Sequence, residues 1–207
     1  STSKLSSAVA TGDHDGVTTA LREGVDPNSY MPWNFGFALG KYERVPVLIV
    51  ANEKCYADVV SILLEANAST EPSGDFWLTP LATATYWGRT PIVETLLAHG
   101  ADVHAKDAKW GDLPIHLAAV NGHLMIVQIL HAHGSPLDAV NNNKDTPLHC
   151  AASFGHISIA KWLAQQGVDI LAVDWCRRTA ADKSELNGNS ELAEWLRTQD
   201  YTAIAAR

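Results

Sequence analysis

No stretch of this chain approaches the roughly eighteen uninterrupted apolar residues that a membrane-crossing helix needs, so membrane insertion is not expected. There is no run of Lys or Arg, and 15 of them stand against 23 Asp and Glu, leaving a net charge of −8. That balance argues against nucleic acid or an anionic membrane as the main partner. Cysteine is scarce as well. Cys55, Cys150 and Cys176 are scattered and odd in number, which suits free thiols in a reducing compartment better than a disulfide framework. The opening residues STSKLSSAVATGD carry no signal-peptide core, and a cytoplasmic location is the expectation. Signatures of catalysis are missing too: no Cys-x-x-Cys, His-Glu-x-x-His or nucleophile-elbow pattern occurs. The segment GFALGK (36–41) has the look of a phosphate loop, but it is one residue short and Tyr42 stands where Ser or Thr is required.

What the chain does have is a 46% hydrophobic composition over 207 residues, enough for a sizeable core, and an internal repeat. DTPLHCAASFGHISIAKWLAQQGVDI (145–170) aligns without a gap to DLPIHLAAVNGHLMIVQILHAHGSPL (112–137) and to LTPLATATYWGRTPIVETLLAHGADV (78–103). Pro80, Pro114 and Pro147 lie 34 and 33 residues apart. A fourth, degenerate copy, RVPVLIVANEKCYADVVSILLEANAST, begins around Pro46 with one extra residue near Glu53–Cys55 and with Asn67 in place of Gly. LSSAVATGDHDGVTTALREGVDPN (5–28) and RTAADKSELNGNSELAEWLRTQ (178–199) read as a first and a last helical pair.

This period and the Thr-Pro-Leu-His wording resemble the ankyrin repeat family. The resemblance covers nearly the whole chain and implies an all-α repeat solenoid with short β-hairpin loops. It would form a single domain, 1–207, with four internal repeats (46–177) between two capping repeats (1–28 and 178–207). Local physics agrees. Thr79 and Thr146 are placed to cap helices that open on Pro80 and Pro147. Gly100, Gly134, Gly167 and Asn67 are placed at helix ends that need positive φ. Ile126, Val127, Ile129 and Leu130 form an apolar face. Trp162 and Trp195, in register with Ile129, are expected in the stacking core.

Nine histidines invite a metal reading. The resemblance instead implies that His116 and His149 hydrogen-bond neighbouring loops. His123 and His156 follow turn glycines, and His99 and His133 precede capping glycines. His131 and His133, two apart on a helix, point their rings away from each other. No metal-ligand spacing is visible, and no metal, cofactor or catalytic residue is expected. Asp75, Asp107, Asp112, Asp145 and Asp174 at the hairpin tips read as turn formers.

In the ankyrin family the hairpin tips and the concave groove face partners, so the resemblance implies a non-catalytic protein-interaction or assembly module, monomeric by itself. The candidate contact residues on that side are Asp75, Phe76, Trp77, Tyr86, Trp87, Lys109, Trp110, Asn142, Asn143, Phe154, Trp175 and Arg177, with the partner being another protein or peptide segment. Lys109, Arg177 and Arg178 bring positive charge near the tips, which points to an acidic partner at the C-terminal half.

One connection departs from the pattern. Gly24 to Pro46 spans 22 residues where its counterparts span 13 or 14, placing an extended aromatic hairpin at 29–45. It carries Tyr30, Trp33, Phe35, Phe37 and Tyr42. Phe35, Phe37 and Tyr42 are expected to fold back over the first repeat, and Trp33 is the candidate contact residue. The alternative function is a small-molecule or enzymatic site under this insertion, with aromatic walls, Asp75 and Tyr86.

Overall fold

The computed structural model describes residues 2–35, 41–71 and 76–205, with side chains described up to 199. Phe37 and Asp75 lie outside the described residues. The chain folds as two compact units, Ser1–Ala105 and Lys106–Arg207.

The first unit contains α1 (Thr2–Thr11), α2 (His14–Arg22), a hairpin of β1 (Tyr30–Asn34) and β2 (Lys41–Pro46), then α3 (Val47–Lys54), α4 (Ala57–Glu65), α5 (Pro80–Tyr86) and α6 (Thr90–Ala98). The second contains α7 (Pro114–Val120), α8 (Leu124–Ala132), α9 (Pro147–Ser153), α10 (Ile157–Gln165), α11 (Ala180–Leu186) and α12 (Ser190–Ala205). All but α12 are shorter than the roughly 12–15 residues at which a helix becomes even marginally stable alone, so stacking has to supply their stability. Each outer helix buries the same three positions: Ile126, Val127 and Leu130 in α8, Ile159, Ala160 and Leu163 in α10, Leu192, Ala193 and Leu196 in α12. Ala118, Ala119, Ala151 and Ala152 let inner helices α7 and α9 approach closely.

Trp162 and Trp195 are half-buried rather than core. Like Ile129, they sit at the margin of the apolar stripe, with Trp162 edge-on to His131 at 5.8 Å and Lys161 lying 5.6 Å from the Trp195 ring centroid.

The helix starts follow the expected chemistry. Thr79 Oγ1 accepts from the Ala82 amide at 3.1 Å, and Thr146 Oγ1 accepts from the His149 amide at 3.4 Å. Thr179 and Asp182 cap α11 reciprocally, Thr179 N donating to Asp182 Oδ2 at 3.0 Å and Asp182 N to Thr179 Oγ1 at 3.3 Å.

The degenerate repeat is anchored one residue later than its proline suggests. Pro46 ends β2 in an extended conformation (φ −54, ψ 136), and Val47 opens α3, donating its amide to Ser29 O at 3.0 Å. Counted from Val47, Cys55 (φ 64) takes the left-handed turn position that Gly88, Gly122, Gly155 and Gly188 take in the other repeats. No residue is inserted near Glu53–Cys55, and the first connection is longer than the others by nine or ten residues. Asn67 adopts φ 64, as a helix-ending residue in place of glycine.

The insertion is a twisted antiparallel hairpin pairing Tyr30 with Pro46, Met31 with Val45, Trp33 with Tyr42 and Asn34 with Lys41, with an irregularity between Met31 and Trp33. The ring contacts of Phe35 and Tyr42 run forward, to the following hairpin. Phe35 stacks on Phe76 of the following hairpin (4.5 Å, 13°), and Tyr42 meets Phe76 edge-on at 5.0 Å. Asn28 Oδ1 accepts from the Ser69 amide at 2.7 Å, tying the bases of the same two hairpins together.

Candidate functional site: hairpin tips and inner-helix ends

In the first unit the candidate side chains are only partly available. Phe76 is 8% exposed and is taken up as the root of the Phe35–Tyr42 cluster. Trp77 is half-buried 6.2 Å from Phe76. Tyr86 and Trp87 are half-buried and edge-on at 5.1 Å, the indole N–H of Trp87 being buried with no acceptor among the described residues. Trp33 is half-buried across from Tyr42, with Lys54 Nζ 5.3 Å from its ring centroid. Together with Pro32, Asn34 and Lys41, Trp33 and Lys54 line an open recess of about 530 Å³.

The second unit presents its candidates far more openly. Trp110 is 48% exposed, Phe154 61% and Trp175 73%. Lys109, Asn142, Asn143 and Arg177 are exposed beside them. Backbone hydrogen bonds join successive tips: Asn142 N donates to Trp110 O at 3.0 Å, and Trp175 N donates to Asn143 O at 2.9 Å. The tips are therefore held in one series rather than hanging as separate loops. Lys109 Nζ lies 5.3 Å from the Trp110 ring centroid.

Beneath the tips the polar groups are buried and satisfied. Asp107 accepts from the amides of Lys109 (2.7 Å), Trp110 (2.6 Å) and Asp112 (3.0 Å), folding its own turn. Asp174 does the same for Cys176 and Arg178, and also accepts from Arg178 Nε at 2.9 Å. Burial pushes the Asp174 carboxyl up, but its hydrogen bonds and charge pairing with Arg178 outweigh that and hold it below the usual range. Lys183 of α11 reaches back to Asp145 and lies 3.8 Å from Asp174. Burial raises the Asp112 carboxyl, against the opposing hydrogen bond from Asn141 Nδ2 at 2.7 Å.

His116 Nδ1 accepts from the Leu113 amide at 3.2 Å, which assigns the ring proton to Nε2. Nε2 then donates to Ala139 O at 3.0 Å and Asp145 O at 3.1 Å in the next hairpin. His149 repeats the arrangement, accepting from the Thr146 amide and donating to Arg178 O at 3.1 Å. Both rings are buried, which pushes their pKa values down and keeps them neutral struts. Among the described residues no three His, Cys, Asp or Glu side chains converge in a metal-binding arrangement. No described helix is long and apolar enough to cross a membrane.

Models of ankyrin repeats match residues 5–107 (three copies) and 115–164 (many copies). The mouse cyclin-dependent kinase 4 inhibitor B is 32% identical over 129 residues, 62% of this chain and 90% of that protein. This chain belongs to the ankyrin repeat family. A putative ankyrin repeat protein of fowlpox virus is 33% identical over 106 residues, half of this chain and 31% of the viral protein. Mouse rabankyrin-5 is 46% identical over 55 residues, 27% of this chain and 5% of that protein. The chain thus spans less than a third of the length of these last two relatives. Ankyrin repeats generally mediate protein–protein interaction and are generally non-enzymatic.

Several surface residues escaped the sequence reading. Val140 (46% exposed), Val173 (48%) and Leu171 (47%) add apolar surface to the hairpins, and Leu186 (67%) does so at the end of α11. Lys144 (φ 59) and Arg177 (φ 61) occupy the left-handed position that Gly111 (φ 67) fills one repeat earlier. The register could have found that pair, because positions 111, 144 and 177 are each 33 apart.

Proposed function

We propose that this ankyrin array is a non-catalytic docking or assembly module that holds a segment of another protein along its hairpin tips and inner-helix ends. The observation that carries the reading is the exposure of Trp110, Phe154 and Trp175 in consecutive repeats of one unit. Large exposed rings in series are uncommon on a surface without a partner, and Trp is enriched where binding energy concentrates. Asn142 and Asn143 lie between the two tryptophans and supply hydrogen-bonding groups. Trp33, Trp77, Tyr86 and Trp87 of the first unit are secondary contributors, since each is half-buried. The module is monomeric by itself and works in a reducing, cytoplasmic setting, in keeping with three cysteines that form no disulfide.

Photo-crosslinking residues placed at 110 and 175, with a control at Met125 on the outer helix (60% exposed), test this in native extract. A common adduct at 110 and 175 that is absent at 125 is the expected result. Adducts confined to 125 move the interface to the outer helices and defeat the proposal.

The open recess beside Trp33 favours a second reading, a small-molecule site next to the insertion. Among the described residues its lining includes neither Tyr86 nor a carboxylate, so what these residues offer is cations and a ring. A metabolite that raises Tm in the native chain but not in Trp33→Ala would establish it.

A further inference from the structure

The hairpins of the second unit sort their charges by depth. Their carboxylates are inside: Asp107 is 4% exposed, Asp112 8%, Asp145 6% and Asp174 4%. Each is engaged by turn amides, Asn141, Lys183 or Arg178. Their cations are outside: Lys106, Lys109, Lys144 and Arg177 are all exposed. The exposed acids that precede these tips, Asp102, Asp138 and Asp169, stand at the beginnings of the hairpins. A chain of net charge −8 therefore turns a locally cationic, apolar face outward at these tips.

Two of those cations sit where the backbone disfavours them. Lys144 and Arg177 hold φ 59 and φ 61, a conformation that a residue with a Cβ adopts at a cost and that glycine adopts freely. Gly111 shows that the same turn is made by glycine in this protein. Backbone strain that persists at exposed positions calls for a reason outside folding.

We propose that the tips of residues 106–177 bind an acidic, extended peptide segment, whose carboxylates pair with Lys106, Lys144 and Arg177 while its apolar side chains lie on Trp110, Val140, Val173 and Trp175. This rests on the docking function proposed above and adds the chemistry of the partner. Charge complementarity selects the peptide: among the described residues Lys106, Lys144 and Arg177 form no ion pair with a carboxylate, and the aliphatic and aromatic exposure between them suits apolar side chains. A polyanion such as single-stranded nucleic acid would find the same cations but would face the negative charge of the rest of the chain at long range.

The test uses a labelled peptide alternating glutamate and leucine, its glutamine and lysine counterparts, and oligouridylate, titrated by fluorescence anisotropy. The native chain and the Lys144→Gly/Arg177→Gly variant are compared. The native chain is expected to bind the glutamate peptide about tenfold more tightly than the glutamine one, and the lysine one least. The advantage should vanish at about 1 M salt, where the screening length is about 3 Å. The double glycine variant should bind the glutamate peptide about tenfold more weakly while melting at a higher temperature, a combination that damage to the fold could not produce. Equal binding of all three peptides, lost on Trp110→Ala/Trp175→Ala, overturns the acidic preference and leaves the docking reading standing. Binding by none of them overturns both at this surface, and preference for oligouridylate replaces the peptide with nucleic acid.

Discussion

Replacing Lys183 by methionine should destabilise the second unit more than any other single change to a charged residue on it. The Lys183 side chain is 14% exposed and faces Asp145 (9%) and Asp174 (2%). A pair of unit charges about 4 Å apart is worth ~4 kcal/mol at an effective dielectric of about 20, part of which offsets the desolvation of both partners. Removing one member of a buried pair costs about 3–5 kcal/mol because the other charge is left without compensation. Asp174 retains Arg178, so Asp145 is the group abandoned, and the residual exposure of Lys183 lets water reach it. We therefore expect about 3 kcal/mol, read as a fall in the urea midpoint at unchanged slope by far-UV circular dichroism. Adding Asp145→Asn to Lys183→Met should return at least about 1 kcal/mol in a double-mutant cycle, since no orphaned carboxylate remains. The exposed pair Lys4–Glu23 supplies the contrast: Lys4→Met should leave the midpoint unmoved. A loss below about 1 kcal/mol for Lys183→Met, or strict additivity in the cycle, would refute the view that this ion pair is a buried anchor.

Three further expectations concern other parts of the fold. Cys55→Gly should stabilise the first unit by about 1 kcal/mol, because Cys55 holds φ 64 at a position glycine fills in the other repeats; an unchanged midpoint would mean the left-handed turn costs nothing there. Phe76→Ala should cost about 3 kcal/mol by removing the ring on which Phe35 and Tyr42 pack, with loss of near-UV dichroism from the insertion. Stability should fall as pH drops below the ordinary imidazole value of about 6.5, because unfolded chains take up protons that buried His116 and His149 refuse. Asp112 acts with the opposite sign at lower pH: its raised carboxyl takes up a proton in the folded state first, so folding regains part of the loss as pH falls through that raised value. A urea midpoint that is flat from about pH 7.5 to about pH 5.5 would sink the histidine assignment.

The repeat, its period and its caps were legible because they rest on local chemistry. A threonine before proline and a glycine or asparagine after a helix carry their meaning within a few residues. The start of the degenerate repeat was not legible. Pro46 looks like a first helical residue, but it is claimed by the ladder with Tyr30, a partner sixteen residues away. The marker that would have corrected the register, a left-handed turn at position 55, is hidden because cysteine stands there instead of glycine. Phe76 was misplaced for a similar reason. Its burial depends on Phe35 and Tyr42, and nothing near Phe76 in sequence announces them. The tip residues of the second unit were readable because their turns are closed by the side chains of Asp107, Asn141 and Asp174, leaving the intervening side chains no inward path.

The histidine struts carry a consequence for how such a chain can lengthen. His116 reaches Asp145 O and His149 reaches Arg178 O, each across 29 residues, and Asn141 reaches Asp112 across the same interval. Each joint thus has one half in one repeat and the other half in the next, at a constant offset. Copying a whole period of 33 residues within the gene would bring a ring and an acceptor together at every new seam without further mutation. Copying any other length would strand a ring at one seam and a carbonyl at the other. Growth by whole periods is written into the positions of these rings, and no separate device for joining new modules to old ones is required.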